Sequence, residues 1–300
     1  MYDILVATRG GLHTFDERGR DGETDLAGRS VTAVVRDGPQ LWAIVDGTQT
    51  WHAPEGEWRR AATLDGLTAT CIAMTDAIHV GTSEAHLFRL TGDAFERVSA
   101  FDAAEGRDKW YTPWRGPPDT RSISEWGDDV YVNVHVGGIL RTNDGGASWS
   151  PTIDIDADVH QVATAEGLVL AAGAPGLSVS TDRGATWSLH ADGLEAAYSR
   201  AVVVCGDRLL VSASDGPRGG HAGVYRTGLR GGRFERCRAG LPEWFDSNID
   251  TYCLDALNDG SYAAFGTADG GVYGSDDGGE TWAQLATVSD PVQSVLIVPR

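Results

Sequence analysis

The chain has 300 residues, 41% hydrophobic and 22% charged, enough for a substantial core in one large all-β domain or two smaller ones. A net charge of −19 argues against nucleic acid and against anionic membrane surfaces as partners. Residues 1–6 run straight into a strand pattern with no basic n-region and no long apolar stretch, so a cytoplasmic, membrane-free protein is expected.

Residues 4–8 and 12–15 read as two strands, and short apolar runs broken by Gly and Asp turns continue along the chain. Aromatic residues recur at Trp58, Phe95, Trp149, Trp187, Phe234 and Trp282, at intervals of 37, 54, 38, 47 and 48 residues. A four-stranded propeller blade occupies about 40–50 residues, so each interval predicts one blade. The clearest has strand 121–126, turn Gly127-Asp128-Asp129, strand 130–136, loop Gly137-Gly138 and strand 139–142. Strands 201–204 and 209–213 around Gly206-Asp207 repeat the pattern. No amphipathic helix pattern of ten or more residues appears. The tail, 291–298, supplies a further strand, and pairing it with the N-terminal strands completes a blade and hides its edges.

The fold class expected is therefore all-β, a single seven-bladed β-propeller of four-stranded antiparallel blades over residues 1–300. Its blades are 2–22 with 289–300, 30–66, 67–118, 119–156, 157–196, 197–246 and 247–288; six or eight blades are the alternatives. Cys71, Cys205 and Cys253 lie in apolar strand-like runs, Cys237 does not, and none has CxxC spacing, so buried free thiols are expected.

Three octets share one order, Ser/Thr-x-Asp-x-Gly-x-Ser/Thr-Trp, at 142–149, 180–187 and 275–282. Asp144, Asp182 and Asp277 are expected to accept backbone N–H groups one or two residues on. Gly146, Gly184 and Gly279 supply positive φ, and Trp149, Trp187 and Trp282 plug the loop. The octet resembles the Asp-box, or BNR repeat, of sialidases and related β-propellers. It is similar also to the repeats of photosystem II assembly factors and sortilin-type receptor propellers, which are binding scaffolds. The resemblance implies a structural role for these aspartates. It does not extend to the sialidase active site, because no Phe-Arg-Ile-Pro motif is present.

Strand direction alternates within a blade, which puts the octets on one face and the long segments 101–119, 214–223 and 237–248 on the other. Trp110, Tyr111 and Trp114, and Trp244 with Phe245, form either a stacking platform or a packed mini-core. The starts of the first strands bring Asp119, Arg121, Asp158, His160, Arg200 and Asp250 to the same rim, joined by Asn133 and His135. The ligand-binding candidates are Trp110, Trp114, Arg121, His135, His160, Arg200 and Trp244. Asp158 and Asp250 are the candidate carboxyl pair of a glycosidase, which needs two carboxyl groups roughly 5–10 Å apart. His135, His160 and an aspartate have metal-ligand chemistry but non-local spacing, and no metal or other cofactor is expected. The function expected is a monomeric binding scaffold that holds a protein or carbohydrate ligand on the face opposite the octets. A glycoside hydrolase-like enzyme, sialidase-like in its repeats, is the alternative.

Overall fold

Short alternating runs between Gly and Asp turns pair most readily with their sequence neighbours, because tight turns reverse the chain before another partner comes within reach. A computed structural model describes residues 1–114 and 116–300, and among these the strands form seven four-stranded antiparallel sheets. The first contains Ser294–Pro299, Tyr2–Thr8, Gly11–Asp16 and Asp21–Asp25, in that order. The next two span Val31–Asp37 to Arg59–Thr63 and Ala69–Met74 to Ala94–Arg97. The fourth comprises Thr120–Trp126, Asp129–Val134, Gly138–Thr142 and Ser150–Pro151, and the fifth runs from Val159–Ala165 to Ser188–His190. The last two span Tyr198–Cys205 to Glu235–Arg236 and Leu254–Ala256 to Ala283–Thr287. The molecule is a seven-bladed β-propeller with almost no helix. Its first blade is closed by the C-terminal strand, with Ile4 opposite Ile297 and Val6 opposite Val295.

The N-terminal segment contributes three strands to that blade where two were expected. The third, Asp21–Asp25, carries no apolar residue on either face, so it has no alternation to read.

Contacts divide the chain into two units: Met1–Val34, Ala174–Leu177 and Leu189–Arg300, and Val35–Gly173 with Ser178–Ser188. The first holds an aromatic core in which Phe265 stacks on Tyr273 at 4.9 Å and meets Trp282 and Phe245 edge-on at 4.9 and 5.6 Å. The second packs Tyr131, Ile139, Val159, Val162 and Val169 between its fourth and fifth blades. All four cysteines are buried and free, and burial pushes the Cys71 thiol up to about 12.

The octets fold alike. Asp144 Oδ1 accepts from Ser148 N at 3.0 Å and Oδ2 from Ser148 Oγ at 2.6 Å, while Thr142 Oγ1 donates to Oδ1 at 2.7 Å and accepts from Gly146 N at 3.0 Å. Asp182 and Asp277 repeat this with Thr186 and Thr281. The carboxylate thus reaches the N–H four residues on, not one or two, because the glycine turns the loop back beneath it. Gly146, Gly184 and Gly279 all have φ between +82° and +88°.

Candidate functional site

The site is built on breaks in strand register. Thr120 pairs with Val134 and Ser122 with Asn133, so Arg121 is an extra residue in its strand. His160 is likewise extra between Val159 and Gln161, Arg200 between Ser199 and Ala201, and Thr70 between Ala69 and Cys71. An extra residue on one strand is a β-bulge, which bends the backbone and re-aims the side chain out of the regular alternation. Arg121, His160 and Arg200 owe their presentation to this.

In the second unit three loops are zipped together around His135. Bridges join Tyr111 to Val136 and Val136 to Asp158, and His135 N donates to Asp119 O at 3.1 Å. His135 Nδ1 lies 3.1 Å from Asp119 Oδ1 and 3.1 Å from Arg121 Nη1. Its Nε2 lies 3.3 Å from Asp158 Oδ1, and His160 Nε2 lies 3.3 Å from that same oxygen. Both imidazoles are buried, and the Asp158 side chain keeps 23% exposure although the Oδ1 that meets them is buried. Burial pushes the Asp158 carboxyl up, but the His135 and His160 imidazoles beside it outweigh this and hold it well below the usual carboxylate range. Trp114, 69% exposed, stands edge-on to His135 at 5.0 Å.

Trp110, one of the ligand-binding candidates, takes the mini-core alternative: it is buried against Phe101, which in turn packs edge-on against Trp149. It anchors the loop whose tip carries Trp114. Asn133 is also structural: Ser122 Oγ donates to its Oδ1 at 2.8 Å, and its Nδ2 donates to Val159 O at 2.8 Å, stitching the fourth blade to the fifth.

The remaining candidates lie in the first unit. Arg200 pairs with Asp250 at 2.9 Å and lies over the Tyr198 ring. Asp250 is therefore engaged by an arginine, and Asp158 by two histidines. Trp244 carries the Arg236 guanidinium 3.6 Å above its ring and borders a cleft of about 260 Å³ with Phe245, Asp269 and Tyr273. A separate cleft of about 400 Å³ in the second unit lies at the octet end of the fourth blade, lined by His79, Glu125, Asp144 and Trp149. We take the His135 cluster as the site in preference to this roomier cleft, because polar groups from three loops converge there on one carboxylate.

Fold and site together define a β-propeller with a polar cluster at the loop end of its blades. No protein-family model and no curated protein sequence matches the chain. Solved structures do match in fold. The GH74 xyloglucanase from Xanthomonas campestris aligns at TM-score 0.69 and 14% identity, over 95% of this chain and 52% of that one. The RRP9 WD40 repeats align at 0.62 and 12%, over 89% and 83%. YCF48 bound to D1 peptide aligns at 0.59 and 13%, over 89% and 93%. The chain thus spans about half the length of the xyloglucanase but nearly all of YCF48.

Proposed function

We propose that this protein is a binding scaffold of the Asp-box type, holding a protein or carbohydrate ligand at the loop end of its blades, opposite the octets. The observation that carries this reading is Trp114, a large aromatic exposed at a loop tip, set against His135 with Arg121 beside it. A rigid aromatic with an adjacent cation and carboxylate gives a ligand apolar area and directional polar contacts at low entropic cost. The near full-length likeness to a peptide-bound propeller is consistent with this use of the fold.

The hydrolase alternative needs a protonated carboxyl close to an ionised one. Asp158 is held ionised, which suits a base or nucleophile. Glu125, whose carboxyl burial raises, stands four residues along the strand from Arg121, about 13 Å towards the octet end.

Thermal-shift screening against oligosaccharides and peptides tests the proposal. A stabilising ligand should lose its effect in Trp114→Ala and in Arg121→Ala, and keep it in Asp144→Asn at the opposite end. Glycan hydrolysis by the wild type that Asp158→Asn abolishes would replace the scaffold reading with the enzymatic one.

A further inference from the structure

The His135 cluster poses an electrostatic problem that ligand binding at Trp114 does not address. Two imidazole nitrogens point at one carboxylate oxygen, each 3.3 Å away. Asp119 Oδ1, 3.1 Å from His135 Nδ1, accepts a hydrogen bond only if Nδ1 carries the proton. In neutral His135 that tautomer leaves the Nε2 lone pair aimed at Asp158, and two electron-rich atoms then face each other. A cation between them resolves the arrangement, either a second proton on His135 or a metal ion.

The geometry favours the metal. Tetrahedral zinc binds imidazole nitrogen and carboxylate oxygen at about 2.0–2.1 Å, which makes the ligand-to-ligand edge about 3.3 Å. Both Asp158-to-histidine spacings are 3.3 Å, and the three donor atoms lie within 4.8 Å of one another, so the two imidazoles close on each other by up to about 1.5 Å when they take a common ion. His135 also shows what metal-bound histidines usually show, a carboxylate, that of Asp119, on the far ring nitrogen where it fixes the tautomer. A net charge of −19 also concentrates cations around the molecule.

We propose that His135 Nε2, His160 Nε2 and Asp158 Oδ1 form a binding site for a divalent transition metal of the zinc class, with Asp119 as the positioning residue for His135. Arg121 is the competing element. Its Nη1 lies 3.1 Å from His135 Nδ1, and if it donated there the proton would move to Nε2 and the site would close. Asp119 and Arg121 therefore oppose each other across one ring nitrogen, and substituting them should move metal affinity in opposite directions.

The test uses the purified full chain stripped with chelator and dialysed against zinc or cobalt. One equivalent of zinc should be retained, and Co²⁺ should give the intense visible absorption of a tetrahedral site, bleached by zinc. His160→Gln and Asp158→Asn should each lower affinity at least about 100-fold, and Asp119→Asn about 10- to 100-fold. Arg121→Gln should bind as tightly as the wild type or more tightly. Circular dichroism on each variant, with Asp119 and Arg121 both outside the buried core, separates loss of the site from loss of the fold. Two results overturn the proposal. One is a wild type that retains no stoichiometric metal. The other is binding that survives Asp158→Asn but falls in His221→Gln, which would assign it to the exposed His221–Asp215 pair.

Discussion

At the scale of single residues, the octet aspartates and Asp255 titrate in opposite senses. Hydrogen bonds from Ser148 and Thr142 hold the Asp144 carboxyl at about 2, and those from Thr186 and Ser180 do the same for Asp182. A carboxyl depressed on folding contributes stability above its unfolded value near 3.8, and that contribution is lost as pH falls towards 2. The Tm gap between Asp182→Asn and the wild type should therefore be full at pH 6, narrow below pH 4 and close near pH 2. A gap of constant size would refute the staple. Asp255 behaves inversely, since burial pushes its carboxyl up to about 6 while Ile297 N donates to Oδ2 at 2.7 Å. The folded state then holds the extra proton between pH 4 and 6, so stability falls as pH rises through that window. Asp255→Asn keeps an acceptor for Ile297 and cannot ionise. It should stabilise the protein by about 1–3 kcal/mol at pH 7.5 and by nothing measurable at pH 3, read by denaturant unfolding. The octet role was legible because three copies repeat one donor–acceptor order. Asp255 was not, because nothing in its neighbours announces that it will be covered. Trp110 and Trp114 share one loop and one composition, and the packing of Phe101 and the Arg107 guanidinium on the first separates their fates.

At the scale of strands, sequence alternation identified the strand cores and failed at their ends. An extra residue inverts the alternation from that point on, so Arg121, His160 and Arg200 look like ordinary rim residues until the pairing is known. That Arg121 and His160 would start their strands at the same end was readable, because strand direction alternates along the blade. The partners each one finds, His135 and Asp158 in one unit and Asp250 in the other, were not readable, because non-local distances leave no trace in spacing. Two substitutions probe the strand framework. Ile297 is buried in the closing strand opposite Ile4, so Ile297→Ala should cost about 2–5 kcal/mol in equilibrium unfolding. Gly240 has φ +80°, and a Cβ there would stand 1.7 Å from Trp282 O, where Trp282 N also bonds Ala239 O at 3.0 Å. Gly240→Ala should lower stability by more than about 2 kcal/mol, whereas Gly38→Ala, also at positive φ but in open space, should cost less.

At the scale of the molecule, charge and closure dominate. A net charge of −19 opposes compaction, and raising salt from about 0.02 to about 0.3 M shortens the screening length from about 20 to about 6 Å. Tm should rise over that range; a fall would mean that the surface ion pairs outweigh the repulsion. Seven sheets were countable because an aromatic and a glycine mark most of them, and the first was the exception because its strands come from opposite ends of the chain. That arrangement also sets a clock. Tyr2–Thr8 is made before the other strands of the propeller, and its neighbour Ser294–Pro299 after all of them. At roughly 5–20 residues per second the delay is about 15–60 s. Throughout that time the nascent hairpin must carry one uncovered flank while six later sheets fold beside it. Translation speed and chaperone supply are therefore expected to govern the yield of this protein more than the stability of its finished form.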